Sequence, residues 1–111
     1  MRRLVMALTA GAVMVWAAPA FAQDAKVAKG AALFQSNKCT VCHAAQGKGN
    51  AKRPLDGVGA RLDMATARLW LTDPKAAEAK TGKTARPPMK SFASLPQDDI
   101  DALVAYVMSL K

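Results

Sequence analysis

Every cysteine and histidine in this 111-residue chain lies in one five-residue string, Cys39-Thr40-Val41-Cys42-His43. C-x-x-C-H is the spacing of c-type haem attachment. Two thiols three residues apart on one turn reach the two vinyl groups of a single porphyrin and form thioether bonds. The imidazole of the next residue then lies beneath the iron as its proximal ligand. The expectation is one haem c, bound covalently through Cys39 and Cys42, with His43 as a metal ligand. A Cys39–Cys42 disulfide would instead make a redox centre of the thioredoxin kind, which needs a strand-helix setting, and no convincing strand is read here. A structural zinc site needs four ligands, and the chain offers only three Cys and His residues.

The N-terminus supplies an address that agrees with that motif. Met1-Arg2-Arg3 is a short basic start, Leu4 to Ala18 is apolar and uncharged, and Ala20-Phe21-Ala22 fits the small-x-small pattern of a cleavage site. The apolar run is shorter than the ~20 residues that span a bilayer, and Pro19 closes it. Residues 1–22 are therefore expected to be a secretory signal, and 23–111 the mature domain. Export through the Sec route would place that domain in the periplasm, with no stable membrane insertion after cleavage. Haem c is attached outside the bacterial cytoplasm, so motif and address point the same way.

Composition then poses a problem that a haem resolves. Leu, Ile, Val and Phe make up sixteen of the 89 residues after position 22, and the net charge of that part is +6. A fraction below ~20% with such a charge leans toward disorder. A domain this short also buries only about 60–65% of the surface its unfolded chain exposes. A haem is a large apolar disc. At ~25 cal/mol per Å², burying a few hundred Å² contributes several kcal/mol. That is comparable with the whole stability of a small domain, about 5–15 kcal/mol. The cofactor is expected to be the core.

The rest of the chain reads as helices joined by irregular loops. Val27, Ala31 and Phe34 recur at helical spacing from Asp24, a candidate N-cap, to about Ser36. Gly30 inside that helix suggests a close approach by another element. Ala45 to Gly59, with four glycines, Asn50 and Pro54, has loop chemistry. Asp63 to Thr72 reads as a short helix stopped by Pro74, and Lys75 to Lys80 as a further turn before Gly82. Ile100, Leu103, Val104, Val107 and Leu110 form an apolar stripe from about Pro96 to Lys111. Asp98, Asp99 and Asp101 sit near its positive end. Leu95 and Ile100 would form a hydrophobic staple with Pro96 at the N-cap.

With these residues in place, the chain resembles the class I c-type cytochromes, small soluble single-haem proteins, over nearly all of residues 23–111. The resemblance implies an all-α domain of three to five helices wrapped around one covalent haem, with N- and C-terminal helices packed across each other. Gly30 and Phe34 match the first of those helices, and Leu103 and Tyr106 the second. Pro54-Leu55 matches the segment whose proline carbonyl accepts the proximal histidine's ring N–H, although Arg53 stands where the family often has Gly. Trp70 resembles an aromatic residue near a haem propionate, and an ordinary core tryptophan is the alternative.

The sixth iron ligand separates carrier from catalyst. The candidates are Met64, Met89, Met108, a lysine, or none. Met108 adjoins the terminal stripe and Met64 falls early in a helix, where Met is usually packing. Met89 lies in the loop Arg86-Pro87-Pro88-Met89-Lys90, where two prolines restrict the backbone. Its place before the last helix also matches the family's distal methionine. With Met89 as second ligand the expected function is one-electron transfer between periplasmic or membrane-bound redox partners, not enzymatic. The alternatives are a haem subunit of a larger oxidoreductase, or an open sixth site of peroxidase-like or gas-binding type. Lys38, Lys48, Lys52, Arg53, Lys83, Arg86 and Lys90 could steer redox partners with acidic docking surfaces. Nucleic-acid binding is disfavoured, since these charges form no basic helix face.

Overall fold

The computed structural model describes residues 11–14 and 19–111, so most of the expected signal segment lies outside the described residues. Five α-helices are present among them: α1 (Pro19–Ser36), α2 (Val58–Arg61), α3 (Met64–Thr72), α4 (Pro74–Thr81) and α5 (Gln97–Ser109). A 3-10 turn, Cys39–Val41, follows α1, and a two-residue antiparallel ladder pairs β1 (Ala44–Ala45) with β2 (Lys48–Gly49). No helix among the described residues is long and apolar enough to cross a membrane. The fold is the all-α arrangement expected.

α5 organises the molecule. Pro96 holds its N-cap position, Asp98 and Asp99 occupy its first turn, and Leu95 packs against the cluster that contains Ile100. Ile100, Leu103 and Val104 are fully buried, as the stripe required. Ala102, Ala105 and Tyr106 are buried as well. The burial is wider than one stripe because α1, α2 and α3 all pack against this helix.

The α1–α5 crossing is a backbone contact. A Cβ added at Gly30 would lie 2.0 Å from the Ala102 carbonyl oxygen and 2.6 Å from Tyr106 Cβ. One turn further along α1, Phe34 meets Tyr106 edge-to-face, with ring centroids 5.3 Å apart. Lys29 and Asp99 add a surface ion pair at 3.1 Å, a minor contribution at that exposure. α1 starts at Pro19 rather than at Asp24, which is exposed within the helix. The Ala-rich segment before Asp24 contains no helix breaker, and proline suits a first helical position, so nothing forces a start at the aspartate.

The middle helices follow their local signals. Asp63 Oδ1 accepts from the Thr66 N–H at 2.7 Å to cap α3, and Asp73 Oδ1 accepts from Ala76 N–H at 3.1 Å to cap α4. Pro74 opens α4, and Gly82, at φ 70°, ends it in the left-handed region. Arg68 of α3 pairs with Asp101 of α5.

Two readings of the 45–59 stretch need correction. It holds a small ladder, where no strand was expected, and its end forms α2. Gln46 and Gly47 both have positive φ, 53° and 78°, as a two-residue hairpin turn of type I′ requires. Gly59 starts α2's contact with α5: its N–H donates to Leu110 O at 2.9 Å, and a Cβ there would lie 2.1 Å from Met108 O.

Gly30→Ala is expected to destabilise the holoprotein by about 2–3 kcal/mol in denaturant unfolding, despite alanine's better helix propensity. Ala32→Gly, on the exposed face of the same helix, is expected to cost only about 1 kcal/mol.

Candidate haem site

The end of α1 delivers the cysteines. Lys38 takes a left-handed conformation, φ 59°, and turns the chain from α1 into the 3-10 turn. Cys42 N–H and His43 N–H both donate to Cys39 O, at 3.2 and 2.9 Å, so thiols and imidazole share one closed turn. The two cysteines are unbridged, Cys39 half-buried and Cys42 exposed. Burial pushes the Cys39 thiol pKa up. Among the described residues no three His, Cys, Asp or Glu side chains converge on a point that could hold a bare metal ion. Side chains spread along a turn suit bonds to separate atoms of one flat group.

His43 is oriented by backbone. Its Nδ1 lies 3.3 Å from Arg53 O, and because a carbonyl can only accept, Nδ1 carries the proton. Nε2 is then the nitrogen with a free lone pair. Burial pushes this imidazole below its ordinary value of 6.5. The neutral form is favoured in the folded state, so the stabilisation is present above about pH 6.5 and is lost as pH falls. The expected partner was the Pro54 carbonyl; the structure puts Arg53's carbonyl there instead. Arg53 O also accepts from Ala44 N–H at 3.2 Å, and Leu55 N–H donates to Ala44 O at 2.7 Å. This parallel bridge between Ala44 and Pro54 aims the Arg53 oxygen back toward His43.

Several supports under the turn escaped the sequence analysis. Gly49, at φ 103°, has space for a Cβ only 2.2 Å from His43 O and 3.1 Å from Thr40 O. Asn50 N–H donates to Thr40 O and His43 O, at 3.0 and 3.2 Å, and its side-chain amide donates to Val41 O at 3.2 Å. Tyr106 O–H donates to Gln46 Oε1 at 3.3 Å, tying the hairpin to α5. A glycine at 49 and an asparagine at 50 were visible as loop residues, but their contacts with residues 40–43 carry no local signature.

Met89 is half-buried against the central cluster, in the loop between α4 and α5. With Thr72, Pro74, Glu78, Arg86 and Pro88 it lines a groove of about 610 Å³, which Cys39, Cys42 and His43 do not line. Met64 is 58% exposed at the start of α3, and Met108 is half-buried on α5. Trp70 is half-buried on α3, outside the cluster around α5. Lys38, Lys48, Lys52, Lys83, Arg86 and Lys90 are exposed, while Arg53 is half-buried.

Comparison with known families gives a match to the cytochrome c model over residues 27–111. The chain belongs to the cytochrome c family. It is a haem c electron-transfer protein, its haem bound covalently through Cys39 and Cys42 of the C-x-x-C-H string. This cytochrome is also similar to the cytochrome c oxidase subunit 2 of Alkalihalophilus pseudofirmus, 30% identical over an alignment of 92 residues. That alignment covers 75% of this chain and 25% of the relative, so the chain spans about a quarter of the length of the curated protein it matches. No solved structure matches.

Gly49→Ala is expected to destabilise the holoprotein by about 3 kcal/mol, combining backbone strain with the clash at His43 O. Gly47→Ala, where an added Cβ meets nothing within 4 Å, is expected to cost about 1 kcal/mol for its positive φ alone. Denaturant unfolding of the two variants checks the difference.

Proposed function

We propose that this cytochrome is an exported one-electron carrier rather than an enzyme, with His43 and Met89 as the residues that would hold its haem iron. The observation that carries the reading is the His43 arrangement. Nδ1 is committed to the Arg53 carbonyl, so Nε2 presents a lone pair from the same turn as two unbridged thiols. The hydrogen bond to Arg53 O fixes the ring's tautomer and orientation and makes Nε2 a better donor. The group so held supplies one-electron chemistry, its iron passing between ferric and ferrous states. The chain's own work is to keep ligand geometry the same in both states, to exclude water, and to leave an edge that partners can approach. A methionine thioether favours the reduced state. His43 and Met89 would together hold the group, and the chemistry it would supply there is electron transfer.

Residues 1–22 act as a Sec signal, and the mature protein, from Gln23, works in the periplasm. Cleavage there leaves the part of α1 that carries Gly30 and Phe34, and the family match begins only at residue 27. The exposed lysines and arginines around residues 38–52 and 83–90 favour redox partners with acidic docking surfaces. A second reading, a haem-bearing part of a larger oxidoreductase, is favoured by the similarity to an oxidase subunit 2.

Carbon monoxide added to the reduced protein tests the assignment. The wild type is expected to resist binding, and Met89→Ala to bind promptly. Met64→Ala and Met108→Ala should stay resistant. Prompt binding by the wild type would mean an open sixth site, and resistance in Met89→Ala would move the ligand to another residue.

A further inference from the structure

Arg53 touches both halves of the site through different atoms. Its backbone carbonyl holds His43 Nδ1 at 3.3 Å. Its guanidinium, through Nη1, donates to Pro87 O at 3.4 Å, across 34 residues of sequence. Pro87 is two residues before Met89, in the same loop. The backbone of Arg53 is itself fixed on both sides, by its N–H to Asn50 O at 3.3 Å and by the Ala44–Pro54 bridge. A cation anchored in this way is a fixed point from which to hold a second loop. The loop is anchored at its two ends, by Ala85 N–H to Glu78 Oε1 at 3.0 Å and by Ser91 O–H to Thr72 O at 2.8 Å. Between them two consecutive prolines provide no N–H, and among the described residues the hydrogen bond to residues 86–90 is the one from Arg53.

We infer that Arg53 is a positioning residue that straps the Met89 loop to the segment orienting His43, so that one residue sets the spacing of the two sides of the haem cleft. The inference rests on the proposed ligation by Met89 for its consequence, though not for the strap itself. Substituting the side chain leaves the carbonyl on His43 in place, so the variants separate the strap from the histidine contact. A guanidinium also suits the role better than glycine, which would offer the carbonyl and nothing more.

Two readouts on the holoprotein test it. The first is amide hydrogen exchange at Arg86, Met89 and Lys90, which reports loop opening whatever the iron ligand is. The second is the rate at which added imidazole binds the ferric protein, which reports how readily the distal side is displaced. Arg53→Ala is expected to speed both by about fivefold, the size expected for loss of one hydrogen bond. Arg53→Lys, which keeps the cation, should recover part of the effect, and Lys111→Ala should change neither rate. Wild-type exchange at those amides in Arg53→Ala overturns the strap. If exchange rises but Met89→Ala leaves imidazole binding unchanged, the strap stands and the ligation by Met89 falls. An unaltered optical spectrum in Arg53→Ala establishes that the variant has folded around its haem.

Discussion

A shortage of apolar bulk governs this chain. Among the described residues the largest fully buried side chains, Ile100, Leu103 and Val104, all come from α5, and the cluster around them draws on α1 and α3 through Phe34 and Leu71. Leu55, Leu62, Met89 and Phe92, which pack against that cluster, are only half-buried. A domain of this size cannot close two cores with so few large residues. On the proposed reading, the covalent haem supplies the second one. Attachment through Cys39 and Cys42 then matters for stability as much as for chemistry, because it makes the apolar disc a permanent part of the polypeptide.

The protein economises elsewhere by letting backbone meet backbone. Gly30 brings α1 onto the Ala102 carbonyl, Gly59 brings α2 onto Met108, and Gly49 lies against the carbonyl of His43. In each case the absent side chain allows main chains to touch, which raises packing density without large residues. The cysteine turn is likewise supported mostly by main-chain oxygens, those of Thr40, Val41, His43 and Arg53. Such supports change little when the charge on a nearby iron changes. They suit a protein whose task is to pass an electron without rearranging.

The local punctuation of the chain was legible. Asp63, Pro74, Gly82 and Pro96 each mark a helix end with chemistry confined to a few neighbouring residues. The Cys39-Thr40-Val41-Cys42-His43 string and its haem were legible for the same reason: attachment depends on spacing within one turn. The start of α1 was not, because Asp24 is a good cap only if the helix has a reason to begin there. Gln46-Gly47 hid the hairpin, since Asn-Gly or Asp-Gly is the strong signal for that turn. The carbonyl facing His43 was placed one residue too late. Main-chain acceptors carry no residue identity, so only the Ala44–Pro54 bridge decides which oxygen points at the ring. The hold of Arg53 on Pro87 spans two loops, and no local pattern encodes it.

Everything here depends on the haem acting as interior. The most direct measurement is denaturant unfolding, followed by far-ultraviolet circular dichroism, of the Cys39→Ala/Cys42→Ala protein alongside the holoprotein. A chain that needs the porphyrin for its second core should lose most of its helix and show a shallow, non-cooperative transition. A steep transition with wild-type helicity, from material that carries no haem, would contradict it: the side chains alone would then suffice to build the fold.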